Sequence, residues 1–422
     1  MVEDKKKYIL AIETSCDETA ASIVSTQKTK NGYEIKVLSN VVASQIDLHE
    51  KWGGVYPELA SRAHLEAMIP VLESALEPLE ISQNSPVSAE GQAEVGNVKS
   101  QNCNSKVKSR ESDSKHAIRN TQYAIREIDA IAVTTGPGLI GSLLMGVETA
   151  QILGAYFRKP IIEVNHLEGH IYSAFAANRI KNKELRIKNG EINLNSKFLI
   201  LNSGIFPILA LVVSGGHTSL ILMKNHLEYE TVGQTVDDAA GEAFDKVARI
   251  LGLGYPGGPA IEKFAQGGDE NAYNLPLSML NSKDLNFSFS GLKTAVLYLT
   301  KDPSTQKPRK YNKKDLAASF QKTVTEILTK KTIRAIEKYN PKTIILSGGV
   351  SANEYLREYF VSEISQLPAT YYQLPTILIP PRELSTDNAL GIAIAGAIKF
   401  LNNKQTSWDK ISARANFPID QT

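Results

Sequence analysis

The strongest constraint on the fold is a pattern that the chain writes twice. Tyr8-Ile9-Leu10-Ala11-Ile12 is an unbroken apolar run. It meets the polar turn Glu13-Thr14-Ser15-Cys16-Asp17-Glu18-Thr19 and continues as Ala20-Ala21-Ser22-Ile23-Val24. Half a chain later, Ile208–Val213 runs into Ser214-Gly215-Gly216-His217-Thr218 and returns as Ser219–Met223. Short apolar runs bounded by turn residues read as buried strands. A third, altered copy is expected at Thr343–Leu346, where Ser347-Gly348-Gly349-Val350 opens a helix from Ser351. Such self-similarity predicts an internally duplicated α/β chain: two lobes around a cleft, each opening with a hairpin whose turn faces it.

Helical signals fit between these hairpins. Residues 55–77 carry an expected apolar stripe of Tyr56, Leu59, Ala60, Ala63, Ala67, Ile69, Pro70 and Leu72. A strand is expected at Ile128–Thr135, followed by Gly136-Pro137-Gly138 and a helix from Leu139 to Phe157 rich in Gly and Ala. Small residues weaken a helix, so their retention implies close packing. A second such helix, Ala389–Phe400, follows Thr386-Asp387-Asn388. The lobes are expected at 1–205 and 206–422, with the last helix, 387–401, where they meet. The stretches 82–126 and 179–205 interrupt the first lobe. Ser, Asn, Gln, Lys and Glu dominate the former, which has too few large apolar residues to offset its ordering entropy and reads as a disordered insertion; the latter reads as a variable insertion.

Bulk properties exclude little. Lys+Arg 47 against Asp+Glu 45 is nearly neutral, so any nucleic-acid contact must come from a local patch. Lys307–Lys314 and Arg179–Lys188 are basic clusters that read as solvated loops. Two cysteines, Cys16 and Cys103, provide no disulfide framework, and a cytoplasmic, reducing compartment is expected. No signal peptide or membrane span is expected.

Chemistry concentrates at Asn165-His166-Leu167-Glu168-Gly169-His170. Two of the seven histidines lie here, four apart, on one face of an expected helix. The bland alternative is a helix start with one capping and one surface histidine. Asp387 either caps the last helix or completes a two-histidine, one-carboxylate metal set. A zinc-protease reading fails, because Glu168 lies about 200° around the helix from His166. The Ser-Gly-Gly turn either lets bare backbone approach a phosphate or is an ordinary tight hairpin turn. Asp238, Glu242 and Asp245 form an acidic stripe on an expected helix. The Gly252–Glu262 loop and Asn286–Thr294 are further candidates for ligand contact.

Several of these segments resemble the TsaD family of tRNA threonylcarbamoyl-adenosine synthases, also known by an older name, O-sialoglycoprotein endopeptidases. The segments are Ile12–Thr19, Gly53–Arg62, Gly136–Leu139, His166–His170, Val213–Thr218, Asp237–Lys246, Phe287–Thr294 and Ser347–Asn353. The likeness spans the chain except 82–126 and 179–205. It implies the duplicated actin-like, sugar-kinase-like (ASKHA) ATPase fold. It implies transfer of threonylcarbamoyl from threonylcarbamoyl-AMP to the N6 amine of the adenosine beside the anticodon, in tRNAs reading codons that begin with A, with release of AMP. It implies one divalent ion per subunit, Fe(2+) or else Zn(2+), on His166, His170 and Asp387. Adenylate contacts would fall on Val212, Val213, Ser214, Gly215, Gly216, Asp245, Gly258, Glu262 and Asn353, and an activity-bearing carboxylate on Asp17, as a base or as part of the metal shell. Glu262 departs by one methylene from the aspartate of many members. Implied partners are a threonylcarbamoyl-AMP synthase, an inactive TsaB-like paralogue on the helical face near 55–77, and a small TsaE-like ATPase. A small-molecule kinase of the same fold is the alternative, and would not need the His pair with Asp387. Deleting residues 84–118 is expected to leave transfer activity intact; a well-folded but inactive deletion variant contradicts the insertion reading.

Overall fold

The computed structural model describes residues 6–81, 122–176, 197–368 and 374–422. The first sheet is built from β1 (Lys7–Glu13), β2 (Glu18–Thr29), β3 (Gly32–Ser44), β4 (Ala130–Gly136), β5 (Ile161–Asn165) and β6 (Lys197–Leu201). The second holds β7 (Ile208–Val213), β8 (Thr218–Asn225), β9 (Glu228–Gln234), β10 (Thr343–Ser347) and β11 (Thr376–Leu378). Between them run α1 (Ile46–Glu50), α2 (Pro57–Ile81), α3 (residues 122–127), α4 (Ile140–Phe157), α5 (His166–Ser173), α6 (Ala240–Leu251), α7 (Gly257–Ala265), α8 (Ser290–Thr300), α9 (Lys313–Tyr339), α10 (Glu354–Ser365) and α11 (Ala389–Leu401).

The strand orders are β5-β4-β1-β2-β3-β6 and β11-β10-β7-β8-β9. In each sheet an antiparallel meander (β1-β2-β3, β7-β8-β9) carries two parallel strands on its first member. The duplication expected from the hairpins is therefore present strand for strand, with β6 added at one edge. One expectation changes. β10 pairs parallel with β7, as β4 pairs with β1. The Ser347-Gly348-Gly349 segment is thus the counterpart of the β4 crossover, not a third hairpin. Both segments read alike because each is a buried strand ending in glycines.

Alternation along the central strands shows how the layers stack. Leu10 and Ile12 face α2 and α4, whereas Ile9 and Ala11 face a second cluster. Leu209, Leu211 and Val213 face the helices of the second half, whereas Ile208, Ala210 and Val212 join that same second cluster. The shared cluster is filled by α5 and α11. Helices therefore cover both outer faces, and α5 and α11 form the layer between the sheets. α11, last in the chain, packs on β1, β2 and β4 of the first sheet and against α5.

The α5–α11 crossing depends on glycine. A Cβ on Gly391 would fall on the Gly169 carbonyl, and one on Gly169 would meet Ile392 Cδ1 at 2.5 Å. Beside this contact lies a buried ion pair. Glu168 Oε2 sits 2.6 Å from Lys399 Nζ and accepts from the Asn165 N–H at 3.0 Å. Lys399 also donates to the Glu163 carbonyl at 2.9 Å.

Three sequence expectations are corrected. Tyr56 and Ile69 of the expected α2 stripe are exposed; the buried face is Ala60, Met68, Val71, Leu72, Ala75, Leu76 and Leu79, at helical spacing. The expected insertion 82–126 ends earlier, since residues 122–127 form α3, with Ala124 and Ile125 buried; residues 82–121 lie outside those described. Within 179–205, Lys197–Leu201 is strand β6, paired with β3 and burying Phe198 and Ile200; 177–196 lie outside the described residues. Among the described residues α4 alone has the length and composition of a membrane span, and its Ser142, Leu143, Gly146, Val147, Ala150 and Gly154 are buried in the fold.

Removing one partner of a buried ion pair leaves an uncompensated charge. Lys399→Met is expected to cost about 3–5 kcal/mol in chemical denaturation. Glu168→Gln added to Lys399→Met is expected to recover part of that loss.

Candidate active site

α5 begins with a complete cap. The Asn165 side chain accepts from the Leu167 N–H at 2.9 Å, and Glu168 returns to the Asn165 N–H. Asparagine thus does the capping, and both histidines are free for other work. Each is buried, with ring centroids 4.5 Å apart. The same division recurs on α11. Its N-cap is Asn388, whose Oδ1 accepts from Leu390 N at 3.0 Å and Gly391 N at 3.4 Å. Asp387 is released from capping, and its Oδ1 lies 3.6 Å from His166 Nε2 and 3.4 Å from His170 Nε2.

The three ligand atoms lie within 4.8 Å of one another. His170 Nε2 is buried without a hydrogen-bond partner, an arrangement that an ion would satisfy. His166 is oriented from behind. Its Nδ1 is 3.0 Å from Ser15 Oγ and 3.3 Å from Glu13 Oε2. Glu13 is itself fixed, accepting from Ser15 N and Thr134 Oγ1 at 2.6 Å each. Such outer partners set the imidazole tautomer and aim its other nitrogen. Two histidines and a carboxylate suit a first-row transition ion, so the residues present fit a metal.

The electrostatics agree. Burial opposes a charge on His166, but Asp387 and Glu13 outweigh it and push the imidazole up to about 9. Burial also opposes ionisation of Asp387, yet His166 and His170 hold its carboxyl well below the usual range. His217, with its ring 6.3 Å from His166, is pushed down to about 4 by burial and by both site histidines.

A second group surrounds the β7–β8 turn. A Cβ on Gly241, at the start of α6, would meet Ser214 O at 2.5 Å and Gly215 Cα at 2.8 Å. One on Gly348 would strike the Val213 carbonyl. By contrast, a Cβ on Gly215, Gly216, Gly258 or Gly349 would meet nothing within 4 Å. Bare backbone therefore faces open space from several elements, the geometry of an anion cradle. Val212 and Val213 are fully buried, so their strand offers only its end. Asp245 Oδ1 accepts from Gly257 N at 2.7 Å. Asn353 caps α10 through Leu356 N at 2.9 Å and donates to Gln321 at 3.0 Å. Glu262 accepts from Glu354 N at 2.7 Å and lies 3.5 Å from Arg382.

Asp17 is buried in the β1–β2 turn. Burial, then Asp17 and Asp245, raise the Tyr255 hydroxyl well above its usual value, so carboxylates from both halves act on one space. The acidic stripe is corrected. Asp238 precedes α6, and it and Glu242 bind Lys246 at 2.7 and 2.8 Å, while Asp245 turns to Gly257. The Asn286–Thr294 motif is a structural hub. Asp237 accepts from Ser288 and Ser290 hydroxyls at 2.6 Å each and from Phe289 N at 2.8 Å. Glu13, Ser15 and His217 were not singled out by sequence; the buried end of β1, directly before the turn, is the signal that finds Glu13. Of the basic clusters, Lys307–Lys314 is largely exposed, and Arg179–Lys188 lies outside the described residues, as does Cys103.

A model of the TsaD family, described as tRNA N6-adenosine threonylcarbamoyltransferase, matches residues 36–86, 114–185 and 185–394. A protein of that description from Thermosipho africanus is 45% identical over 92% of this chain and 93% of its own length. One from Bacillus subtilis is 42% identical over 97% and 95%, and one from Listeria monocytogenes 41% over 96% and 95%. Among solved structures, full-length HypF in a phosphate- and nucleotide-bound form aligns with a TM-score of 0.50 at 12% identity, over 97% of this chain. The chain spans about half of HypF, 48%, and that likeness speaks for the two-lobed ASKHA fold alone. On sequence, fold and site together, the chain belongs to the TsaD family of tRNA N6-adenosine threonylcarbamoyltransferases.

Proposed function

We propose that this chain transfers a threonylcarbamoyl group to the N6 amine of an adenosine in tRNA, with threonylcarbamoyl-AMP as donor. The adenosine is the one beside the anticodon in tRNAs that read codons beginning with A. The observation that carries the reading is identity of 41–45% to transferases of this description over more than nine-tenths of the chain. The kinase alternative is not favoured, since it leaves His166, His170 and Asp387 without a purpose.

The residues divide the work as follows. Backbone at Ser214, Gly215, Gly216 and Gly258 cradles the AMP portion. The N6 lone pair attacks the carbamoyl carbon, the bond from that carbon to the phosphate oxygen breaks, and AMP leaves with the electron pair. Asp17 receives the proton lost from N6. His166, His170 and Asp387 would hold one divalent ion, Fe(2+) or else Zn(2+), which when bound supplies Lewis-acid polarisation and a template for orientation. Asp245, Glu262 and Asn353 shape the cradle by fixing Gly257 and the start of α10.

We take 1–205 and 206–422 as the two lobes, with the last helix shared between them; the packing of α11 on the first sheet supports this. A threonylcarbamoyl-AMP synthase would supply the donor in the cytoplasm. The TsaB-like paralogue would dock on α2 and α4, where Leu65, Ile69, Ile140, Leu144, Ile152 and Tyr156 leave adjoining helices with an exposed apolar surface. A TsaE-like ATPase completes the proposed assembly.

Incubating the protein with threonylcarbamoyl-AMP and unmodified tRNA is expected to yield threonylcarbamoyl-adenosine by nucleoside mass spectrometry; phosphorylated small molecules in its place contradict the reading. In metal-stripped protein His166 holds a proton below about pH 9, which an incoming ion must displace. Apparent Zn(2+) affinity is expected to rise about tenfold per pH unit from about pH 7 to the His166 value and then to level off, as read by calorimetry. His166→Ala removes the slope.

A further inference from the structure

Two buried histidines, His49 and His64, take no part in the chemistry above. A buried histidine is most often a satisfied core residue. Here they belong to two separate sets of hydrogen bonds, which end on the adjacent carbonyls of Cys16 and Asp17.

His64 lies on α2. Its Nε2 is 3.0 Å from the Cys16 carbonyl and its Nδ1 is 2.8 Å from Thr19 Oγ1. A carbonyl only accepts, so Nε2 carries the hydrogen, and Nδ1 accepts from the Thr19 hydroxyl. The next carbonyl, that of Asp17, accepts from Gln45 N at 3.0 Å. Gln45 is held in turn. Its Oε1 is 3.1 Å from His49 Nε2, and its Nε2 donates to Ala60 O at 3.4 Å. His49 Nδ1 accepts from Tyr56 N at 3.3 Å. Each imidazole nitrogen in the two sets meets a matching partner with both rings neutral. Burial holds both below their ordinary value, in keeping with that state.

The peptide groups on either side of Asp17 are thus both fixed from the α1–α2 segment. Peptide planes are rigid, so fixing both determines φ and ψ of Asp17 and the direction of its side chain. We infer that His64, acting on the Cys16 carbonyl while Gln45 and His49 hold that of Asp17, is a positioning residue that aims the Asp17 carboxylate into the cleft. The inference rests on the proposed role of Asp17.

The test is a kinetic cycle on the full chain with threonylcarbamoyl-AMP and tRNA. Small displacements of a reacting group cost up to about a hundredfold. His64→Phe is expected to lower kcat by about ten- to a hundredfold, with KM for tRNA and metal content unchanged. His64→Gln, which keeps a donor toward Cys16, is expected to restore part of the loss. Groups that act as a unit are non-additive, so in an Asp17→Ala background His64→Phe is expected to add no further loss. An equal loss in both backgrounds, or a change confined to KM, overturns the proposal. Thr19→Val, which removes only the Nδ1 partner, carries the same comparison if His64→Phe does not fold. Wild-type activity in Asp17→Ala overturns the role of Asp17 itself and this proposal with it, and is told apart by the single variant.

Discussion

The contact on which the rest depends is the crossing of α5 and α11. The group that could hold a metal is split across the chain, with His166 and His170 at the start of α5 and Asp387 one residue before the cap of α11. These groups meet only if two helices from opposite ends of the sequence pass backbone to backbone. Gly169 and Gly391 allow that approach, and the Glu168–Lys399 pair sets its register. Buried ion pairs contribute little net stability, because desolvation offsets attraction. Their attested use is to select one arrangement among several. Lys399 also binds the Glu163 carbonyl and Glu168 the Asn165 amide, so the pair links β5, α5 and α11 at one point.

That crossing gives the duplication a purpose. Each half supplies a meander with two parallel strands, and each presents a turn toward the same space. The β1–β2 turn brings carboxylates and hydroxyls. The β7–β8 turn brings bare backbone. Similar scaffolds thus offer opposite chemistry, one suited to cations and amines and the other to anions. Because α11 lies on the first sheet while the strands before it belong to the second, the halves are tied together through the layer that carries the site.

Much of this was legible in the sequence. The hairpins, the histidine pair and the small-residue helices are local signals, written in runs of five to ten residues. What was not legible depends on neighbours far along the chain. Asp387 and Asn388 are both good caps by type, and only the path of α11 decides which one caps. β6 is a short strand beside a polar stretch, recognisable only once β3 is there to pair with it. β10 ends in glycines like a hairpin strand, and pairing alone makes it a crossover. Asp245 shares helical spacing with Glu242 but is drawn off by the Gly257 amide. For α11, β10 and α6 local propensity found the element and tertiary pairing chose the role of its residues; for β6 it missed the element as well.

The use of Asn165 and Asn388 as caps has a consequence for how the protein is assembled. Both helices that frame the site are closed at their N-termini by amides, without recourse to His166, His170 or Asp387. The caps of the frame are therefore complete before any ion arrives, unlike small metal-dependent domains in which binding and folding are one event. Until then the cationic His166 offsets the charges of Glu13 and Asp387. A proton would serve as placeholder, and loading an ion at this group would be an exchange of one cation for another.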